Sequence, residues 1–154
     1  MLEPLLNCHK ELQMSSVKRQ FHVFIIHAHL DRQVVRDLYI RLTEEGFQLW
    51  LDVEKLLPGQ NWEYEIRKAI LKSDAVIVCL SQHFGSPKGF RHKELKIALR
   101  KANVLSMDDI FIIPVRLEKC DMPNSLRHLH RVDLFERGGY KRLIRALREH
   151  AEAI

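Results

Sequence analysis

Short apolar runs, separated by stretches of helical period, constrain this chain more than any other feature. His22-Val-Phe-Ile-Ile-His27, Ala75-Val-Ile-Val-Cys-Leu80 and Ile110-Phe-Ile-Ile-Pro-Val115 are continuously apolar. Strands buried on both faces of a parallel sheet have this composition. Phe47 to Leu51 reads as a further strand, and Val132 to Leu134 as a short fifth. Pro114 fits a strand edge or terminus.

Helical patterns fill the intervals. Asp31 is placed to cap a helix running to Glu45, with Val34, Val35, Leu38, Tyr39 and Leu42 on its apolar side. Gly46 is suited to end it. The loop Asp52 to Gln60 holds the turn signal Pro58-Gly59. Asn61 caps a second helix with the stripe Trp62, Ile66, Ala69 and Ile70. Phe90 to Lys101 forms a third, burying Leu95, Ala98, Leu99 and Ala102. Tyr140, Leu143, Ile144 and Leu147 mark the closing helix, while 116–130 carries no readable period. Strand and helix alternate throughout. The expected class is α/β, a flavodoxin-like five-stranded parallel sheet of order 2-1-3-4-5 with helices on both faces and right-handed crossovers.

The 154 residues suit one domain, 21–154, preceded by a polar arm or linker, 1–20. No apolar run approaches a membrane span, and the first residues do not read as a signal peptide. Three cysteines without close spacing, Cys8, Cys79 and Cys120, fit a reducing cytoplasm, and Cys79 reads as a small core residue. The net charge of +5 reads as a mildly basic solvated surface, and nucleic acid is not the expected partner. The sequence holds no G-x-x-x-x-G-K-[ST], G-x-G-x-x-G or G-x-S-x-G element, so a phosphate loop, an ordinary Rossmann site and a nucleophilic serine elbow are unsupported.

In such sheets ligands bind beyond the carboxyl ends of the strands, near the switch in strand order. The segments leaving those ends are 27–31, 52–60 and 81–90. Glu94 follows the last of them. It is the one acidic side chain between Asp74 and Asp108, among Lys88, Arg91, His92, Lys93, Lys96, Arg100 and Lys101. Two readings stand. Glu94 is a surface residue held by the helix dipole and Arg91, or it faces the crevice from the edge of the buried stripe, near Phe90, Ile97 and Ala98. His27/His29 and His128/His130 form His-x-His pairs, but no carboxylate or cysteine cluster completes a metal site, and no metal is expected. His27 and His29 read as hydrogen-bonding groups of the crevice. Trp62 reads as core. Trp50 is open to either packing or ring stacking.

Three stretches in this order resemble the Toll/interleukin-1 receptor (TIR) domain family, bacterial type, from Phe21 to about His150. They are Val23-Phe-Ile-Ile-His-Ala-His-Leu-Asp31, Gly46-Phe-Gln-Leu-Trp-Leu-Asp-Val-Glu-Lys-Leu-Leu-Pro-Gly59, and Ser73-Asp-Ala-Val-Ile-Val-Cys-Leu-Ser81 with Gly89-Phe-Arg-His-Lys-Glu94. The resemblance implies cleavage of NAD+ at the nicotinamide–ribose bond, giving ADP-ribose or cyclic isomers, in prokaryotic antiviral immunity or cell death. It implies Glu94 as the catalytic glutamate. It gives Phe90, four positions earlier, as the aromatic that stacks on the nicotinamide side, and His27, Ala28, His29, Trp50 and Ser81 are the further substrate contacts expected around it. It also implies self-assembly through the BB loop, at Asp52, Leu57, Pro58 and Gly59. NAD+ is then the substrate and no further cofactor is expected, since the leaving group is already a cationic pyridinium. A separate sensor or effector protein is the expected partner beyond TIR–TIR contacts. The chain departs from the family where Ser-Tyr-Ser is common, holding Ile26, His27 and Ala28. That departure supports the alternative, a non-catalytic adaptor acting through TIR–TIR contacts.

Overall fold

The computed structural model describes residues 20–51, 56–84, 91–106 and 108–153. The expected arm, together with Asp52 and Phe90, lies outside the described residues, except for Gln20 at the arm's end. Five strands form one sheet: β1 (His22–Ile26), β2 (Gln48–Leu51), β3 (Ala75–Leu80), β4 (Ile112–Arg116) and β5 (Val132–Asp133). Their order is β2-β1-β3-β4-β5, and every neighbouring pair is parallel, as the apolar runs predict. Helices α1 (Arg32–Glu44), α2 (Trp62–Lys72), α3 (Arg91–Val104) and α4 (Gly139–Ala153) cover the two faces.

The period of two along each strand divides the core. Val23, Ile25, Ile77, Cys79 and Val115 pack with α1 and α4. Phe24, Ile26, Val76, Val78 and Leu80 pack with α2 and α3. All of β3 is buried, which explains its unbroken apolar sequence. Pro114 sits within β4 and not at its end, opposite Val78. Odd-numbered β4 neighbours bond toward β3, as Phe111 and Leu117 do, while Arg116 bonds toward β5. The missing Pro114 N–H therefore points toward β5, which pairs only from Val115 onward.

Local chemistry sets the helix ends. Gly46 takes φ +97°, with Gly46 N–H to Thr43 O at 3.0 Å and Phe47 N–H to Leu42 O at 3.3 Å. This is the glycine closure expected after α1. Asn61 Oδ1 accepts the Tyr64 N–H at 3.1 Å and caps α2 as predicted. Asp31 departs from expectation. It ends a 3-10 turn, His29–Asp31, and its side chain makes no cap bond to α1.

Two apolar assignments also change. Val34 is 54% exposed, because α1 buries only Val35, Leu38 and Leu42 against the sheet. Trp62 is 39% exposed, since the buried side of α2 begins one turn later at Ile66. After Arg116 ends β4, the segment 117–130 is irregular apart from a 3-10 turn, Asn124–Leu126, anchored by fully buried Leu126.

Candidate functional site

The strand order reverses between β1 and β3, so the chain leaving these two strands borders the place where an α/β sheet binds ligands. Glu94 lies in the opening turn of α3, which packs on β1, β4 and α2. It is only 2% exposed, and its Oε2 is shielded from solvent. Leu95 and Ala98 beside it are buried, and Ile97 is half-buried. The surface reading of Glu94 is thereby excluded. An acidic side chain withdrawn from water is costly. Such a group at a strand-end site is a candidate for chemistry.

From the other strand, His27 and Ala28 are also buried, at 3% and 6% exposure. His27 donates Nδ1–H to the Ala28 carbonyl at 2.8 Å, which fixes the tautomer and the ring orientation. The same carbonyl accepts the Asp31 N–H at 3.0 Å, closing the turn. His29 is exposed on that turn, so it and His27 do not share a face. His128 and His130 are exposed as well. Among the described residues, no three His, Cys, Asp or Glu side chains are grouped to hold a metal. Ile26, at the position where the family often has serine, is fully buried among Phe24, Val78 and Leu80 and belongs to the core.

Ser81 follows β3 and is buried. Its hydroxyl donates to Asp31 Oδ2 and accepts the His83 N–H at 3.1 Å. Asp31 is buried too, and read as a helix cap it was not recognised in the sequence as a site residue. Its spacing from Ile26 and its acid type were visible, but the partner lies 50 positions away. Cys79, fully buried with Asp31 nearby, has its thiol pushed far above the ordinary range, first by desolvation and then by the carboxylate. It stays a thiol and supplies no nucleophile.

Trp50 is not brought to this place. It stacks on Phe24, with centroids 5.1 Å apart and planes at 16°, and lines a cleft of about 300 Å³ between β2 and α2 with Lys68 and Lys72. The loop after β2 presents Leu57, 67% exposed, beside exposed Pro58 and Gly59, the glycine at φ +90°. Gln60 Oε1 accepts the Leu57 N–H at 2.8 Å and holds this turn. A separate cleft of about 1000 Å³ opens at the ends of β4 and β5. Its floor is the Arg116–Asp133 pair, which sequence reading missed because 116–130 has no period.

The TIR domain model matches residues 23–148. The TIR domain of the Toll-related receptor TRR-2 from Hydra magnipapillata superposes with a TM-score of 0.68 at 26% identity, covering 82% of this chain and 97% of that one. NAD(+) hydrolase TcpA of a Theionarchaea archaeon is 38% identical over 77 residues, 49% of this chain and 23% of the relative. Uncharacterized protein y4cD of Sinorhizobium fredii is 32% identical over 97 residues, 62% of this chain and 15% of the relative. The chain therefore spans less than a quarter of either relative's length. With a parallel β2-β1-β3-β4-β5 sheet and a family match over nearly its whole described length, this chain belongs to the TIR domain family.

Proposed function

We propose that this TIR domain cleaves NAD+ at the nicotinamide–ribose bond, with Glu94 as its catalytic carboxylate. One observation carries the reading: Glu94 is an acidic side chain kept 2% exposed in the opening turn of α3, the helix that follows β3 and packs on β1. The partial likeness to an NAD+ hydrolase supports it.

The chemistry is that of glycosyl transfer. The C1′–N bond breaks and its electron pair leaves with nicotinamide, which departs neutral. The ribose becomes oxocarbenium-like, and a carboxylate in a low-dielectric site stabilises that charge strongly. Water then adds at C1′ and loses a proton, giving ADP-ribose. Capture by a nitrogen of the adenine gives a cyclic isomer instead. Buried His27, with its ring fixed by the Ala28 carbonyl, stands at the end of β1 as a substrate contact.

Self-association is the proposed route to activity. The exposed Leu57-Pro58-Gly59 turn offers an apolar contact to a second copy, and assembly is the proposed activator. Immune signalling in the cytoplasm, under a separate sensor, is the proposed setting, since NAD+ is an intracellular metabolite. No helix among the described residues is long and apolar enough to cross a membrane.

A non-catalytic adaptor is the second reading, favoured by that same exposed turn. Following NAD+ loss with the chain tethered densely on beads separates the two. The enzyme loses turnover in Glu94→Ala and needs Leu57 for full rate. Equal turnover in wild type and Glu94→Ala, with partner binding lost only in Leu57→Asp, would favour the adaptor.

A further inference from the structure

Asp31 and Ser81 meet across the switch point. Asp31 ends the turn after β1, and Ser81 is the first residue after β3. Both side chains are buried, at 8% and 6% exposure. The single hydroxyl proton of Ser81 goes to Asp31 Oδ2, and its oxygen also takes the His83 N–H at 3.1 Å. A bond to a carboxylate is among the stronger hydrogen bonds, and burial strengthens it further.

Asp31 stands at the N-cap position of α1, where an acidic side chain would ordinarily accept an amide of its own helix. It makes no such bond. The carboxylate is directed instead at the neighbouring strand's exit. The helix forgoes a local stabilisation, and the link between two loops replaces it.

That link holds the turn 81–84, where the chain leaves β3. Ser81 continues the side of β3 occupied by Cys79, which faces α1 and α4. Phe84, three residues on, is buried in the opposite core with Leu95 and Ala98 of α3. Between them the chain crosses the carboxyl end of β3, with the Phe84 N–H bonded to Ser81 O at 3.2 Å. The crossing is thus pinned at both ends, by Asp31 on one face and by the α3 core on the other. Leu95 in that core is the neighbour of Glu94.

We infer that Asp31 is a positioning residue for the Glu94 site: through Ser81 it fixes the 81–84 turn, whose Phe84 lies in the same core as Leu95 of α3. This role rests on the proposed NAD+ cleavage. It differs from the role of Glu94, because Asp31 would touch Ser81 and not the substrate. Misplacement of reacting groups by about 1 Å costs on the order of a hundredfold in rate, so the link would show in kcat before it shows in binding.

The test uses the full chain, clustered on beads, with NAD+ as the probe. Ser81→Ala, Asp31→Asn, Asp31→Ala and the Asp31→Ala/Ser81→Ala double variant are compared with wild type. Ser81→Ala is expected to fold cooperatively and to lose about 10–100-fold in kcat, with KM for NAD+ within about threefold. Asp31→Asn keeps an acceptor for the hydroxyl and is expected to fall between wild type and Ser81→Ala. The double variant is expected to be no slower than the slower single, because the two act as one unit. Should Asp31→Ala fail to fold, Ser81→Ala and Asp31→Asn decide. Wild-type kcat in both would overturn the role while leaving NAD+ cleavage standing. Losses confined to KM or to the folded fraction would overturn it equally. Absence of turnover in the assembled wild type would overturn the catalytic reading and this role with it.

Discussion

Arg116 and Asp133 meet through two parallel bonds, Nε to Oδ1 at 2.6 Å and Nη2 to Oδ2 at 2.7 Å, where β4 and β5 pair. Both side chains are largely buried. The Arg116 guanidinium, chiefly by hydrogen bonding, holds the Asp133 carboxyl below its ordinary value, with Arg131 adding to the effect. A carboxyl depressed in the folded state adds stability above its unfolded pKa of about 3.9. That stability is lost as pH falls through the lower folded value. Asp133→Ala leaves a buried guanidinium without its counter-charge, at a cost of about 3 kcal/mol. Urea unfolding at neutral pH reads that loss. Repeating it in the acid range below about pH 4 should show the gap between wild type and variant closing.

Gly139 is fixed by contact. A Cβ there would meet Asp133 O at 2.1 Å and the Asp133 carbonyl carbon at 3.0 Å, both backbone atoms that cannot give way locally. Gly139→Ala should cost about 3 kcal/mol or more, by forcing α4 away from β5. Gly59 has φ +90° but no atom of the described residues within 4 Å of a Cβ. Gly59→Ala should cost only about 1 kcal/mol, from backbone strain alone. Thermal unfolding of the two variants side by side checks the ranking.

Cys79 should resist alkylation. Its thiol is fully buried and pushed well above the ordinary range, so almost no thiolate forms at pH 8. Iodoacetamide on native protein should leave the Cys79 peptide unmodified, and labelling should appear only after denaturation. Mass spectrometry of the digest reads this directly. Rapid native labelling would contradict the packing of β3 against α1.

Much of this was legible because periodicity and end chemistry are local. The unbroken run from Ala75 to Leu80, the Asn61 cap and the Gly46 closure each depend on neighbours within a few positions. The misreadings share a cause too. Val34 and Trp62 fit an apolar stripe by type, but the angle at which each helix meets the sheet leaves them exposed. Asp31 had the right residue type for a cap, yet a serine 50 positions away took its carboxylate. The Arg116–Asp133 pair rises from a segment without period, where only strand order brings the partners together. Glu94 sat between two readings, because spacing along one helix gives its face but not what covers that face. The packing of α3 on β1, β4 and α2 buries it, which rules out the surface position.

The central claim is that the buried carboxylate of Glu94 acts on the glycosidic bond of NAD+. Glu94→Gln keeps the shape of the side chain and removes only its charge. The most direct measurement is nicotinamide release from NAD+ by wild type and Glu94→Gln, both clustered on beads and both shown to unfold cooperatively. Steady release by the wild type and a loss of about 100–1000-fold in the variant are expected, the scale set by removing one preorganised electrostatic partner. Equal release by the two proteins would contradict the claim.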